Sequence, residues 1–116
     1  LLHFHSPVQA VKAACEIREF SNQFQGAVDF KVKITINSGR CLAVNYNTQI
    51  DLFGQAVNTV IRMQMGAMPG DIIFTKELFQ KEEVANYIKE NTLKFSTIVI
   101  VHYSLTKPLD AIKLTC

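Results

Sequence analysis

The sequence predicts an α+β domain whose sheet closes with an antiparallel hairpin, and three observations carry that prediction. Phe30-Lys31-Val32-Lys33-Ile34-Thr35-Ile36 alternates apolar and polar residues with period two, as a half-buried strand does. Val8, Val11, Ala14, Cys15, Ile17 and Phe20 recur at three- and four-residue steps, which places them on one face of a helix. Phe95 to Tyr103 is rich in β-branched residues and is followed by a Lys107-Pro108 turn and a further extended run, Leu109 to Leu114.

The elements follow in order. Leu1 to Phe4 is apolar and reads as the tail of a strand. Ser6, Pro7 and Gln9 then stand in the order of an N-cap, an N1 proline and a capping-box partner, so a helix starts there and runs to about Phe24, with Gly26 ending it. After the alternating strand, Asn37-Ser38-Gly39 supplies turn residues. Arg40 to Asn45 resumes an extended pattern, Asn45 to Thr48 is turn-rich, and Gln49 to Leu52 returns as the second arm of a hairpin. From about Gly54 to Met65 the pattern is helical, with Ala56, Val57, Val60, Ile61 and Met63 apolar, until Met68-Pro69-Gly70-Asp71 breaks it. Ile72 to Phe74 is a short strand, and Thr75 can cap a helix through Leu78 and Phe79. The charged stretch to Asn91 continues as helix or irregular chain, and the two terminal strands complete the domain.

A length of 116 residues supports one hydrophobic core, so the expectation is a single domain over residues 1–116. With 48% hydrophobic and 19% charged residues, the composition is that of a globular chain and not of a disordered one. Twelve Lys plus Arg against ten Asp plus Glu leave a net charge of +2, too small and too scattered for a general nucleic-acid surface. No apolar run approaches the roughly 18 residues of a membrane span and no signal-peptide order is visible, so a soluble, cytoplasmic chain is expected. Cys15, Cys41 and Cys116 are odd in number, widely spaced and without a CxxC pair, which indicates reduced thiols in place of a disulfide framework or a zinc site.

The most informative stretch for chemistry is Ile50 to Met63. Here a hairpin carboxylate, Asp51, precedes a helix bearing Asn58 and Arg62 four residues apart, on one face. A guanidinium offers a rigid fork of donors for phosphate oxygens, and a nearby amide can orient a sugar or phosphate oxygen, so the pair suits a nucleotide. The plainer reading pairs Arg62 with a surface carboxylate and turns Asn58 to solvent.

Four segments in order make this chain resemble the class III adenylyl and guanylyl cyclase catalytic domain from Phe4 to about Phe79. Phe4-His5-Ser6-Pro7 with Ala10-Val11 and Ala13-Ala14 is similar to the family's F-x-x-P-x-x-A-V-x-A-A helix. Lys33 to Gly39 is similar to its strand ending in a His-Ser-Gly-like turn, and Asp51 to Arg62 to its D-x-F-G-x-x-V-N-x-A-x-R run. Pro69-Gly70-Asp71-Ile72 followed by Thr75 to Phe79 is similar to its P-G-x-I strand and the short helix after it.

The resemblance implies a ferredoxin-like sheet and a reaction in which the ribose 3′-hydroxyl attacks the α-phosphorus of a nucleoside triphosphate. Pyrophosphate leaves, and Mg²⁺ or Mn²⁺ assists. By position Arg62 matches the arginine that stabilises charge on the α-phosphate, Asn58 the asparagine that positions the ribose, and Asp51 the base-reading residue. A carboxylate at position 51 can accept from the adenine amino group but opposes the guanine carbonyl, which favours ATP over GTP. As read from its position alone, Asp51 also fits a turn or helix-cap carboxylate ahead of Gly54.

Family active sites lie at a two-fold dimer interface, and the departures follow from that arrangement. The family's two metal-binding aspartates, and the lysine that partners the base-reading aspartate, belong N-terminal to the segment at which this chain begins. The chain is therefore expected to be the C-terminal part of the domain, supplying the Asp51, Asn58 and Arg62 half of each site and inactive alone. Where the family often has Lys-Gly this chain has Tyr103-Ser104, and Lys107 is out of register for that role. The hairpin between Gly39 and Asp51 is shorter than the family's glycine-rich form. The alternative is a noncatalytic regulatory or dimerisation module with a remnant nucleotide site. His3 with His5 on one strand face, the Met63, Met65 and Met68 cluster, and the Lys31 and Lys33 face read as half-buried histidines, core or interface filling, and a solvated face.

Overall fold

The computed structural model describes Leu2 and residues 4–23, 31–39, 42–46, 49–101 and 107–115, with backbone alone for 42–46, 49–53 and Thr115. Helix α1 spans Pro7–Gln23. The Ser6 carbonyl accepts the Ala10 N–H at 3.3 Å, so the chain enters the helix through Ser6-Pro7 as the sequence predicts. Its buried stripe is Val11, Ala14, Arg18 and Ser21, whereas Ile17 and Phe20 are 40% and 68% exposed. The expected apolar face is thus corrected by a small rotation. Arg18 is accommodated on that stripe because its Nη1 donates to the Leu114 carbonyl at 3.0 Å.

Strand β1, Ile34–Ile36, is shorter than the alternating run that announced it. Lys31 to Lys33 lie outside the strand, although the Val32 carbonyl still accepts from Gly70 N–H and Ile34 N–H donates to the Asp71 carbonyl. Strands β2, Leu42–Tyr46, and β3, Gln49–Phe53, form a separate antiparallel hairpin with Tyr46 opposite Gln49. Helix α2, Gln55–Met63, runs into a 3-10 turn over Gln64–Gly66. Strand β4, Ile72–Thr75, leads into α3, Lys76–Phe79, where the Thr75 hydroxyl caps the helix by accepting the Leu78 N–H at 3.4 Å. Helix α4, Glu82–Glu90, fills the charged stretch, and strands β5, Lys94–Ile100, and β6, Leu109–Thr115, follow.

The main sheet has the order β1-β4-β6-β5, with β1 parallel to β4 and the other two pairs antiparallel. Register sorts its side chains onto two faces. Ile72, Phe74, Ile112 and Leu114 meet Val11 and Ala14 of α1, Leu78 of α3, and Val84 and Ile88 of α4. On the other face Ile73, Ala111 and Ile100 meet Met63 and Ala67. Strand β4 is buried at all four positions because both faces and both edges are covered. Leu2 and Phe4 are exposed and lie in no strand, and Leu1 and His3 fall outside the described residues.

Candidate active site

Gly54 carries φ 142° at the N-cap of α2, a backbone setting that favours glycine and turns the chain from β3 into the helix within one residue. Asp51 lies on β3 opposite Val44, three positions before that turn, and its side chain falls outside the described residues. As a backbone position it belongs to the strand and not to the turn or cap. Asn58 and Arg62 are both exposed on α2, one helical turn apart, with Arg62 in the last turn, where a cation is favoured by the helix dipole. Among the described residues neither side chain has a hydrogen-bond or ion-pair partner: Asn58 is exposed, as the plainer reading has it, and the surface carboxylate which that reading gives Arg62 is not found there.

What holds α2 is on its opposite side. Lys33 Nζ donates to the Gln64 carbonyl at 3.1 Å, Thr35 Oγ1 to the Val60 carbonyl at 2.9 Å, and Asn37 Nδ2 to the Ala56 carbonyl at 3.2 Å. The Thr35 hydroxyl also accepts from Gln64 Nε2 at 2.9 Å, and the Thr75 hydroxyl donates to Asn37 Oδ1 at 3.2 Å. Gly39 completes the contact by leaving room, since a Cβ there would stand 2.7 Å from the Ala56 Cβ. Lys31 and Lys33 are both exposed, as a solvated face requires, and Lys33 in addition reaches the Gln64 carbonyl, while Asn37 of the Asn37-Ser38-Gly39 turn segment is half-buried against α2. The signal in the sequence is the polar residue at every second position, 33, 35 and 37, of the alternating run and its continuation.

The remaining candidates separate. Met63 is fully buried, whereas Met65 and Met68 are exposed, so the three do not form one cluster. His5 is exposed and His3 lies outside the described residues. Among the described residues no three His, Cys, Asp or Glu side chains come together in a way that could hold a metal ion. Lys113 pairs with Asp71 at 3.2 Å, and Asp71 Oδ2 accepts the Met68 N–H, which closes the turn before β4. A groove of about 940 Å³ runs between α1, β1 and α2, lined by Ala10, Ala13, Ile36, Val57 and Val60 among others, and neither Asn58 nor Arg62 reaches it. No described helix is long and apolar enough to cross a membrane.

Residues 3–99 match the family described as "Adenylate and Guanylate cyclase catalytic domain". No curated protein is similar enough in sequence to add to that match. Among solved structures, the catalytic core of a rhodopsin-guanylyl cyclase with converted specificity, in complex with ATPalphaS, superposes with a TM-score of 0.72 at 23% identity, covering 94% of this chain and 57% of its own. The guanylate cyclase domain of RhGC from Catenaria anguillulae, in complex with GTP, gives 0.65 at 19%, with coverages of 94% and 59%. The adenylyl cyclase CyaB from P. aeruginosa gives 0.53 at 17%, with 94% and 53%. These three share the fold, and the chain spans between 53% and 59% of their length.

Proposed function

The chain belongs to the adenylate and guanylate cyclase catalytic domain family, and from that premise we propose that the protein containing it converts ATP to 3′,5′-cyclic AMP and pyrophosphate, with GTP as second choice. The ribose 3′-hydroxyl gives up its proton to water as its oxygen forms a bond to the α-phosphorus, the bond from that phosphorus to the bridging oxygen breaks, and pyrophosphate leaves with the electron pair. Arg62 takes the charge that builds on the α-phosphate oxygens, Asn58 orients the ribose so that the 3′-oxygen attacks in line, and Asp51 accepts from the adenine amino group. The first two interactions strengthen as charge and geometry develop, so they act on the transition state more than on bound substrate.

The observation that carries this reading is the exposed Asn58 and Arg62 pair, one turn apart and without partners among the described residues, within the segment matched to the family. Among the described residues no three His, Cys, Asp or Glu side chains are placed to hold a metal ion. The Mg²⁺ or Mn²⁺ that supports the reaction in this family is assigned to other residues of the protein, across a dimer interface to which the present 116 contribute one half of each site. On this reading residues 1–116 are one partial domain, inactive when isolated.

Cyclic nucleotide formation from ATP and from GTP with Mn²⁺ tests it in the full-length protein. Wild type should form cyclic AMP, and Asn58→Ala and Arg62→Ala should each lose on the order of 10²-fold in kcat while remaining folded. A folded, dimeric protein that forms no product from either nucleotide would sink the enzyme reading in favour of a regulatory or dimerisation module.

A further inference from the structure

We propose that Lys33, Thr35 and Asn37 are positioning residues that clamp α2 from behind and set the register of Asn58 and Arg62; the inference rests on the function proposed above. The three donors occupy every second position of one extended segment, and the carbonyls they reach, Gln64, Val60 and Ala56, are spaced by one helical turn. Two residues of strand advance about 6.6 Å and four residues of helix about 6.0 Å, so the rungs nearly coincide. Over two rungs the mismatch reaches about 1.2 Å. Lys33, at one end of the row, has the longest and most adaptable of the three side chains.

The clamp points lie opposite the working side chains. Ala56 precedes Asn58 by two residues and Val60 precedes Arg62 by two, and two residues turn the helix by about 200°. A hydrogen bond at the Ala56 carbonyl therefore backs Asn58, and one at Val60 backs Arg62. The middle rung engages the Val60 carbonyl in the last turn of α2, where the Thr35 hydroxyl donates to it at 2.9 Å. The lowest rung sets a cation at the carbonyl end of the helix, the favourable end of its dipole. The top rung reaches further, since Asn37 is oriented by the Thr75 hydroxyl that also caps α3. A helix held only by apolar packing could slide or roll by a fraction of a residue. A helix pinned at three carbonyls cannot do so without breaking them.

The decisive variant is Thr35→Val in the full-length protein, because it keeps the shape and removes both hydroxyl bonds, with Thr35→Ser as the conservative partner. Thr35→Val should lower kcat about tenfold with KM within about twofold, and Thr35→Ser should recover most of it. In an Asn58→Ala/Arg62→Ala background the same substitution should change kcat by less than about twofold, since its effect passes through those two side chains. Amide hydrogen exchange should quicken across α2 and stay unchanged in β4 and β6. Wild-type kcat in Thr35→Val, or an equal loss in both backgrounds with faster exchange in β4 and β6, would overturn the proposal. If the wild-type protein forms no cyclic nucleotide, the functional reading fails separately and exchange alone judges the clamp. Unchanged α2 exchange in Thr35→Val then overturns it, and acceleration confined to α2 sustains it.

Discussion

Arg18 is a charged side chain on the buried stripe of α1, 7% exposed, whose Nη1 donates to the Leu114 carbonyl at 3.0 Å. Arg18→Met keeps the stem and leaves that carbonyl without its donor, which should cost about 1–3 kcal/mol in urea denaturation. Phe20→Ser, although it removes a larger apolar group, should stay within about 0.5 kcal/mol because Phe20 is 68% exposed. The opposite ranking would show that Phe20 is covered in solution. The two residues also mark what the sequence can disclose at this scale. Asn58 and Arg62 are legible as a pair because their relation depends only on the period of one helix. Arg18, Lys33, Thr35 and Asn37 are not, because each one's partner is a backbone carbonyl between 19 and 96 positions away, and a carbonyl has no residue identity to read.

The type and order of the elements follow from local periodicity, and their lengths from neighbours that periodicity does not contain. Strand β1 comes out at three residues where the alternation from Phe30 to Ile36 announces more, because among the described residues it pairs on one side only, with β4. The Thr75 cap and the Gly54 entry into α2 agree with expectation because each is set within a few residues. Gly39 shows the converse: it reads as a turn glycine, whereas its service is to let α2 approach β1. Gly39→Ala should destabilise by about 1–3 kcal/mol through the contact with Ala56, since overpacking of this kind displaces one element from another. Combining it with Ala56→Gly should give at least about 1 kcal/mol less destabilisation than the sum of the two single changes. Strict additivity in denaturation would mean that the helix and strand are not in contact at that point.

The molecule as a whole is a sheet with one core on each face, and α1 and α4 close the larger of the two. Tyr87 of α4 lies between them, with Lys12 of α1 over its ring at 5.4 Å. Burial, reinforced by Cys15 and Glu16, raises its pKa above the ordinary 10.0. The folded state therefore holds the phenolic proton more tightly than the unfolded chain. Its contribution to stability is complete below pH 10.0 and is lost as pH rises through the raised value. Denaturation midpoints taken between about pH 9 and pH 11 should fall more steeply for the wild-type chain than for Tyr87→Phe, and equal slopes would refute the assignment. The place of β4 between β1 and β6 has a consequence in time. The β5 and β6 ladder links strands that are neighbours in sequence, whereas β1 meets β4 only after the chain has passed through a hairpin and α2. Both pairings of β4, with β1 and with β6, join positions about 40 apart, so both of its neighbours are expected to reach it after the β5 and β6 ladder has formed. A newly made chain would then hold its terminal hairpin before the strand that carries both cores is in place.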